Sequence, residues 1–140
     1  MATAIRSFLP GDRKPLVALW SACDLTRPWN DPDEDIDRKL ARDAGNLLIM
    51  EEAGQVIGSV MAGYDGHRGW INYLAVRPDR QGRGLGRDLM AAAESRLRAL
   101  GCPKVNLQVR ASNKAAVEFY RRIGYRLDDV LSMGRRLDGR

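Results

Sequence analysis

The feature that most constrains the fold is the glycine-rich stretch "RQGRGLGRDLM" at residues 80–90. It follows the apolar run "WINYLAV" and precedes a segment in which apolar residues recur at helical spacing. Glycine permits positive φ angles and close approach of a ligand to the backbone, and the first N–H groups of a helix have no intrahelical partner. A plain connection with capping glycines is the alternative. The stretch therefore predicts a strand, a turn and a helix that together offer an anion site.

The residues of this loop exclude two familiar nucleotide-binding motifs. A P-loop requires a Gly-Lys-Ser/Thr ending, which the stretch lacks. A dinucleotide fingerprint read from Gly82 would require a glycine at position 87, where the chain has Arg87. Arg80, Arg83 and Arg87 can instead add charge-assisted hydrogen bonds to an anion. The pattern thus predicts an anionic ligand that is bound in another way.

Strand and helix patterns alternate along the 140 residues, which predicts an α/β fold in a single domain, residues 1–140. The expected helix starts are Asp12 for the first helix, Asp31 with Pro32 for the second, and Ser112 or Asn113 for the last. The expected strands lie at 4–8, 46–52, 55–64, 70–76 and 104–109, with strand-like residues at 125–137. The expected helices lie within 11–23, 30–45, 85–100 and 113–123.

Composition narrows the class of protein. No apolar run approaches the ~20 residues of a membrane helix, and the N-terminal residues show no signal-peptide pattern, so no membrane partner is expected. Cys23 and Cys102 have no metal-ligand spacing, so we expect no metal and two thiols in the reducing cytoplasm. The net charge of +5 favours an anionic partner. Without a basic run or a stacking-aromatic pattern, nucleic acid is not expected.

Two motifs carry a resemblance to a known family. The pattern Gln-x-x-Gly-x-Gly, from Gln81 to Gly86, resembles the pyrophosphate loop of the GNAT N-acetyltransferases, and "YLAVRPDRQGRGLGRDLM" resembles that family's central motif. "ASNKAAVEFYRRIGY", residues 111–125, is similar to its second signature. "CDLTRPWNDP" and "GYDGHRG" further resemble the small bacterial YpeA-type acetyltransferases. The resemblance implies acetyl-CoA as acyl donor, without a metal.

The resemblance also implies a mixed, twisted sheet with helices on both faces, whose fourth and fifth strands splay apart to admit acetyl-CoA. Backbone groups of residues 74–76 would bind the pantetheine arm and those of residues 81–87 the pyrophosphate. Asn113 would touch the pantetheine or only cap its helix, and Tyr120 would face the thioester sulfur or only pack. The cofactor-binding residues expected from the resemblance are Leu74, Ala75, Val76, Gln81, Gly82, Arg83, Gly84, Leu85, Gly86, Arg87, Asn113 and Tyr120.

The implied chemistry is acyl transfer from a thioester to a primary amine of a small molecule or protein. By analogy with the family, the N–H of Val76 would stabilise the oxyanion, and Tyr120 would be the catalytic acid that protonates the leaving thiolate. The family's usual carboxylate base is missing, because the corresponding positions are Asn72 and Tyr73. A water chain, Asp65 acting through water, or His67 are the alternatives. The missing base also leaves open a non-catalytic acyl-CoA-binding module.

The acceptor side would be walled by the connection between the first two helices. In "DLTRPWND", Arg27 could pair with an anion, Trp29 could stack, and Asn30 or Asp31 could hydrogen-bond an amine. Alternatively, the prolines lock a turn and Trp29 fills the core. Further substrate-binding candidates are Tyr64 and His67, in the turn before the fourth strand. A homodimer is compatible with these expectations.

Overall fold

The computed structural model describes residues 2–140 and divides into two compact units, one ending at Leu107 and the other Gln108–Arg140. The strands of the first unit are β1 (Thr3–Ser7), β2 (Leu47–Glu52), β3 (Gln55–Tyr64), β4 (Gly69–Val76) and β5 (Val105–Leu107). Its helices are α1 (Arg13–Ala22), α2 (Pro32–Asp43) and α3 (Leu85–Ala99), and α4 (Lys114–Arg122) lies in the second unit. No helix of residues 2–140 has both the length and the apolar character needed to cross a membrane.

The five strands form one mixed sheet in the order β1-β2-β3-β4-β5. The first four strands pair in antiparallel fashion, whereas β4 and β5 are parallel. β5 pairs with β4 at Gly69, Trp70 and Ile71, and beyond Ile71 the described chain places no strand along the edge of β4 that faces away from β3. The predicted separation of the fourth and fifth strands is therefore confirmed, and it leaves the last five residues of β4 with an outer edge that no strand covers.

Two neighbouring residues of β3 show that helices cover both faces of the sheet. Trp20 of α1 donates from Nε1 to Ser59 Oγ at 2.9 Å. The adjacent Gly58 faces α3, since a Cβ atom there would lie 2.9 Å from Leu89 Cδ1. Successive residues of a strand point to opposite faces, so α1 and α3 lie on opposite sides. Gly58 is required because the same Cβ would also lie 3.1 Å from the carbonyl oxygen of Ala75.

The core on the α1 face is formed by apolar residues of α1, α2, β2 and β4. Trp20 and Ile36 are fully buried there, and Ile36 is the only buried residue of α2. The apolar face of α2 is therefore thin. The cluster consists of Leu16, Leu19, Trp20, Ile36, Leu47, Ile49 and Ala75.

Both α1 and α2 start where the sequence pattern predicts, but only α2 has a side-chain cap. Asp31 Oδ1 accepts from the Asp33 N–H at 2.9 Å, and Pro32 is the first helical residue. Asp12 precedes α1 yet makes no side-chain capping hydrogen bond to it. Its carboxylate instead accepts from the Leu9 N–H at 2.7 Å and from Arg6. Asp12 thus occupies the predicted position before α1 but does not cap it through its side chain, because Arg6 and the Leu9 N–H bind the carboxylate.

In the second unit, the cap of α4 is Asn113 rather than Ser112. Its Oδ1 accepts from the Ala116 N–H at 3.1 Å, and the helix stops before Gly124, whose φ is 106°. The expectation of strand structure at residues 125–137 was wrong, because the structure has no strand within Gln108–Arg140. A strand needs a neighbour to satisfy its backbone, and the sequence pattern does not supply one.

We predict that Asp12→Asn lowers stability and flattens its dependence on acidic pH. Asp12 is 6% exposed, and Arg6 binds it through two nitrogens at 2.7 and 3.0 Å, which together with the Leu9 N–H holds its pKa below the usual range. The lowered pKa stabilises the wild type above about pH 4, and that contribution is lost as the pH falls further. We expect a loss of about 1–3 kcal/mol at pH 7, measured by urea unfolding.

The matched control is Asp37→Asn, which removes an exposed carboxylate paired with Arg13 at 2.6 Å. This change should cost less than about 1 kcal/mol. Equal losses for the two variants at pH 7, or an unchanged acid dependence in Asp12→Asn, would contradict the prediction.

Candidate functional site

A β-bulge interrupts β4 just before its last residues. Ala75 pairs with Ser59 and Asn72 with Met61, so Tyr73 and Leu74 together oppose the single residue Val60. Tyr73 has φ 52°, which costs a non-glycine residue roughly 1–2 kcal/mol. A bulge bends its strand and redirects the following backbone, and it must be stabilised by its surroundings.

A buried hydrogen-bond chain stabilises the bulge. Ser59 Oγ donates to the carbonyl oxygen of Tyr73 at 2.8 Å and accepts from Trp20 Nε1 at 2.9 Å. The rings of Trp20 and Tyr73 stack with centroids 3.7 Å apart and planes 14° apart. Trp20 and Ser59 are both fully buried. Sequence reasoning did not identify this role, although a serine inside the apolar run "VIGSVM" was the available signal.

The hydroxyl of Tyr73 reaches a carboxylate on α2. It donates to Asp35 Oδ2 at 2.5 Å, while Asp35 Oδ1 accepts from Arg38 at 2.6 Å. Burial and the neighbouring carboxylate both raise the pKa of Tyr73, so the phenol is protonated at neutral pH. A carboxylate therefore lies within one hydrogen bond of β4, although none occurs at Asn72 or Tyr73.

The backbone of Val76 faces the uncovered edge of β4. The Arg77 N–H donates to the carbonyl oxygen of Ile57 at 2.8 Å, and because antiparallel pairs alternate, the N–H and C=O of Val76 point away from β3. The Val76 carbonyl accepts from Cys23 Sγ at 3.2 Å and from Gln81 Nε2 at 3.0 Å. Leu74 and Val76 are half-buried, and Ala75 lies in the core. Backbone recognition by this strand end is therefore compatible with packing of its side chains.

The predicted strand, turn and helix are present around the glycine loop. Gly82 and Gly84 have φ angles of 80° and 78°, and Gly84 is the residue preceding α3. Apart from chain neighbours, a Cβ atom at either position would meet no heavy atom of residues 2–140 within 4 Å. Backbone conformation, rather than crowding within the protein, thus requires glycine here. The open space lies beside the N-terminus of α3, where the first N–H groups lack intrahelical acceptors.

Two of the three loop arginines are paired with a carboxylate of β2. Glu52, 6% exposed, accepts from Arg80 Nε at 2.7 Å and from Arg83 Nη2 at 3.0 Å. Both hydrogen bonds hold the pKa of Glu52 below its usual range. The side chains of Arg80 and Arg83 therefore tie the loop to the sheet, whereas the sequence suggested that they were directed at an anion. Glu52 was not identified from the sequence because 31 residues separate it from Arg83.

The connection between α1 and α2 is a self-bonded turn. Arg27 Nη1 donates to the carbonyl oxygens of Asp24 and Thr26, both at 2.8 Å, and the Asn30 N–H donates to the carbonyl oxygen of Arg27 at 3.1 Å. Trp29 is 45% exposed, so the alternative in which it fills the core is wrong. Arg27, Trp29 and Asn30 are thus brought together in one turn.

The turn between β3 and β4 is organised by Asp65. Its Oδ1 accepts from the N–H groups of His67 and Arg68, both at 2.8 Å, which holds its pKa below the usual range. Tyr64 donates to the carbonyl oxygen of Gly66 at 3.3 Å. At about 3.3 Å per residue, β4 carries the chain roughly 20 Å from this turn to Val76. The structure therefore separates Asp65, His67 and Tyr64 from the strand end, and it favours a structural role for Asp65.

The aromatic residues of the second unit surround Tyr120. Phe119 and Tyr125 contact its ring edge to face, with centroids 5.0 and 5.9 Å away. Burial raises the pKa of Tyr120 to about 12, so its hydroxyl is protonated at neutral pH. Asn113, three residues before Ala116, caps the same helix. Among residues 2–140, no group of three or more His, Cys, Asp or Glu side chains could hold a metal ion.

Comparison with known proteins gives a consistent result. The sequence profile of the acetyltransferase (GNAT) family matches residues 15–125. An acetyltransferase of Sodalis glossinidius (strain morsitans) is 49% identical, covering 95% of this chain and 94% of its own. Glucosamine-6-phosphate N-acetyltransferase from Arabidopsis thaliana is 26% identical, with a TM-score of 0.70 over 99% of this chain and 100% of its own. AAC(6')-Iy in complex with the bisubstrate analogue CoA-S-monomethyl-acetylneamine shares the fold, with 18% identity and a TM-score of 0.80 over 97% and 99%.

We predict that Gly84→Val sharply weakens binding of acetyl-CoA. Valine at φ 78° strains the backbone before α3, and its side chain occupies the open space beside the helix N-terminus. Calorimetric titration of the folded variant should show a loss of at least about tenfold in affinity, equivalent to about 1.4 kcal/mol.

The matched control is Gly54→Val, because Gly54 has φ 75° and equally open surroundings but lies in the turn between β2 and β3. It should lower stability without changing the affinity for acetyl-CoA. An unchanged affinity in folded Gly84→Val would exclude the glycine loop as the pyrophosphate site.

Proposed function

Since the chain belongs to the GNAT family of acetyltransferases, we propose that it transfers the acetyl group of acetyl-CoA to a primary amine of a small molecule or a protein. The observation that carries this proposal is the uncovered edge of β4, which is followed along the chain by the glycine loop and the N-terminus of α3. The chain is an acetyltransferase that uses acetyl-CoA, rather than a non-catalytic module. We further propose that residues 1–140 act as one catalytic domain in the cytoplasm.

The structure offers groups that fit acetyl-CoA. Positive φ angles at Gly82 and Gly84, together with the open space beside them, allow a pyrophosphate to approach the N–H groups of Leu85, Gly86 and Arg87. The N–H of Val76 points to the uncovered edge of β4, where pantetheine amides can add to the strand as a further strand would. The cosubstrate supplies an activated thioester, and these groups orient it.

We assign to this chain one hydrogen-bond donor to the oxyanion and one acid for the leaving thiolate. The N–H of Val76 is the proposed donor to the oxygen of the reacting carbonyl, because donors fixed in a rigid strand require no reorganisation as charge develops. Tyr120 is the proposed acid for the leaving thiolate. Its raised pKa, about 12, keeps the proton available at neutral pH. An acid with such a pKa donates readily only when the negative charge on sulfur is well developed.

The acceptor is proposed to contact the turn between α1 and α2. The half-exposed Trp29 can stack on a ligand, and the neighbouring Asn30 is also exposed. Arg27, whose guanidinium is occupied by its own turn, is the weaker candidate of the three. Tyr64 and His67 remain secondary candidates, in a turn roughly 20 Å along β4 from Val76.

The decisive experiment is an acceptor screen. Purified protein is mixed with acetyl-CoA and a panel of glucosamine, neamine, spermidine and a peptide with a free N-terminus, and the release of CoA thiol is followed. We expect at least one amine to accelerate thiol release well above hydrolysis. Binding of acetyl-CoA without acceleration by any amine, and no acetylated protein after incubation with a cell lysate and labelled donor, would overturn the proposal.

We predict that Trp29→Ala raises the KM for the acceptor more than the KM for acetyl-CoA. Because the ring is 45% exposed, its removal should change the free energy of unfolding by less than a core truncation, which costs roughly 3–5 kcal/mol. Leu100→Ala, which truncates a residue that is 50% exposed at the end of α3, serves as the control. Wild-type values of both KM constants in Trp29→Ala would show that the ring does not contact the acceptor.

We predict that Tyr120→Phe lowers kcat by about 10²–10⁴-fold, the usual contribution of one positioned acid. The affinity for acetyl-CoA should change little, because the hydroxyl acts only as charge develops on sulfur. Tyr125→Phe removes a hydroxyl from the neighbouring ring and should retain activity. A wild-type kcat for Tyr120→Phe, when burst kinetics show that chemistry limits the rate, would refute the role of the hydroxyl as acid.

A further inference from the structure

Tyr73 and Asp35 form a hydroxyl–carboxylate pair beside the uncovered end of β4. The Tyr73 hydroxyl donates its one proton to Asp35 Oδ2 at 2.5 Å, so the lone pairs of its oxygen remain as acceptors. The Asp35 side chain is 22% exposed and Tyr73 is half-buried, so neither group is sealed in the core. An incoming N–H group is the donor that such a hydroxyl oxygen can accept.

We propose that Tyr73 is the catalytic residue that accepts a proton from the acceptor amine and that Asp35, acting through Tyr73, receives this proton. The inference rests on the proposed N-acetyltransferase function. Tyr73 belongs to the bulge that immediately precedes the backbone assigned to the thioester arm. Asp35 thereby supplies, from α2, the carboxylate that is missing at Asn72 and Tyr73 of β4.

The proton path balances. The bound ammonium group of the acceptor loses one proton to Tyr73 Oη and becomes the neutral amine, whose nitrogen then forms a bond to the carbonyl carbon of the thioester. In the same step the proton of Tyr73 moves to Asp35 Oδ2, so the phenol is neutral before and after. The carbon–sulfur bond then breaks, its electron pair goes to sulfur, and the acid protonates the thiolate. The second proton leaves the nitrogen through water and restores the acid. Asp35 returns its proton to solvent, which its partial exposure permits.

The described groups that contact the pair or its bulge come from α2, from the residue after α1 and from β3. On α2, Arg38 binds Asp35 Oδ1 at 2.6 Å and also lies 3.8 Å from Glu34. Cys23, the residue after α1, donates to the Val76 carbonyl, and burial raises the pKa of its thiol. On β3, Ser59 faces the bulge with a neutral hydroxyl. The pH profiles of the Tyr73 and Asp35 variants are therefore compared with that of Asp37→Asn on the same helix.

The test compares wild type with Tyr73→Phe, Asp35→Asn and the double variant, using the most active amine from the screen. Phenylalanine keeps the ring that stacks on Trp20, and asparagine keeps an oxygen acceptor. Each single variant should lose about 10²-fold in kcat at pH 7 and retain its affinity for acetyl-CoA. The double variant should be no slower than either single one. Asp37→Asn, which removes an exposed carboxylate from the same helix, should keep wild-type kcat.

The pH profile separates a proton path from a structural anchor. Without the pair, only amine that is already neutral in solution reacts, and this fraction rises about tenfold per pH unit below the amine's pKa. The deficit of the variants should therefore shrink between pH 7 and 9.5. A wild-type kcat in either single variant, or a constant deficit that accompanies weaker acetyl-CoA binding, would reduce the pair to a link between α2 and β4 and overturn the proposal.

A readout independent of turnover uses wild-type protein whose four tyrosines carry ¹³C at Cζ. Adding the amine to the CoA-bound protein should shift the Tyr73 resonance, and the absence of a shift at saturating amine would overturn the proposal even if the variants failed to fold. If no amine is acetylated by wild type, the proposed function itself fails. If wild type is active and the variants match it, only the proton path fails.

Discussion

The hydroxyl of Ser59 fixes the conformation on which the candidate site depends. It joins Trp20 of α1 to the carbonyl oxygen of Tyr73, and so holds a bulge whose positive φ is unfavourable for tyrosine. The bulge sets the direction of the remaining β4 backbone and the position of the Tyr73 ring. Because Trp20 and Ser59 are fully buried, an unsatisfied group in this chain would be costly, and the geometry is correspondingly well defined.

Local sequence signals identified much of the fold. Positive φ angles require glycine at Gly82 and Gly84 of the loop, and Asp31 and Pro32 define the start of α2. Each of these signals operates over a few residues. The resemblance supplied the order of the strands and the separation of β4 from β5, which periodicity alone does not determine. Residues 125–137 show the limit of such patterns, because strand-like residues form a strand only beside a partner.

The features that the sequence did not reveal are contacts between distant residues. Glu52 and Arg83 are 31 residues apart, and Asp35 and Tyr73 are 38 apart, so no window of sequence contains either pair. The number of loop arginines directed at a ligand was therefore overestimated, because Arg80 and Arg83 share one carboxylate of β2. The search for a base was confined to β4 and its turn for the same reason. For the loop, the sequence identified the arginines and tertiary packing supplied Glu52.

Two glycines of the sheet have a consequence for how the loop meets a ligand. A Cβ atom at Gly58 would lie 2.9 Å from Leu89, and one at Gly69 would lie 3.0 Å from Leu97, so α3 approaches the sheet closely at points two turns apart. Because α3 packs closely at both points, it cannot tilt or slide against the sheet without a steric clash. The N–H groups at the start of α3 are therefore already oriented before a ligand binds. Ordering them on binding costs little conformational entropy.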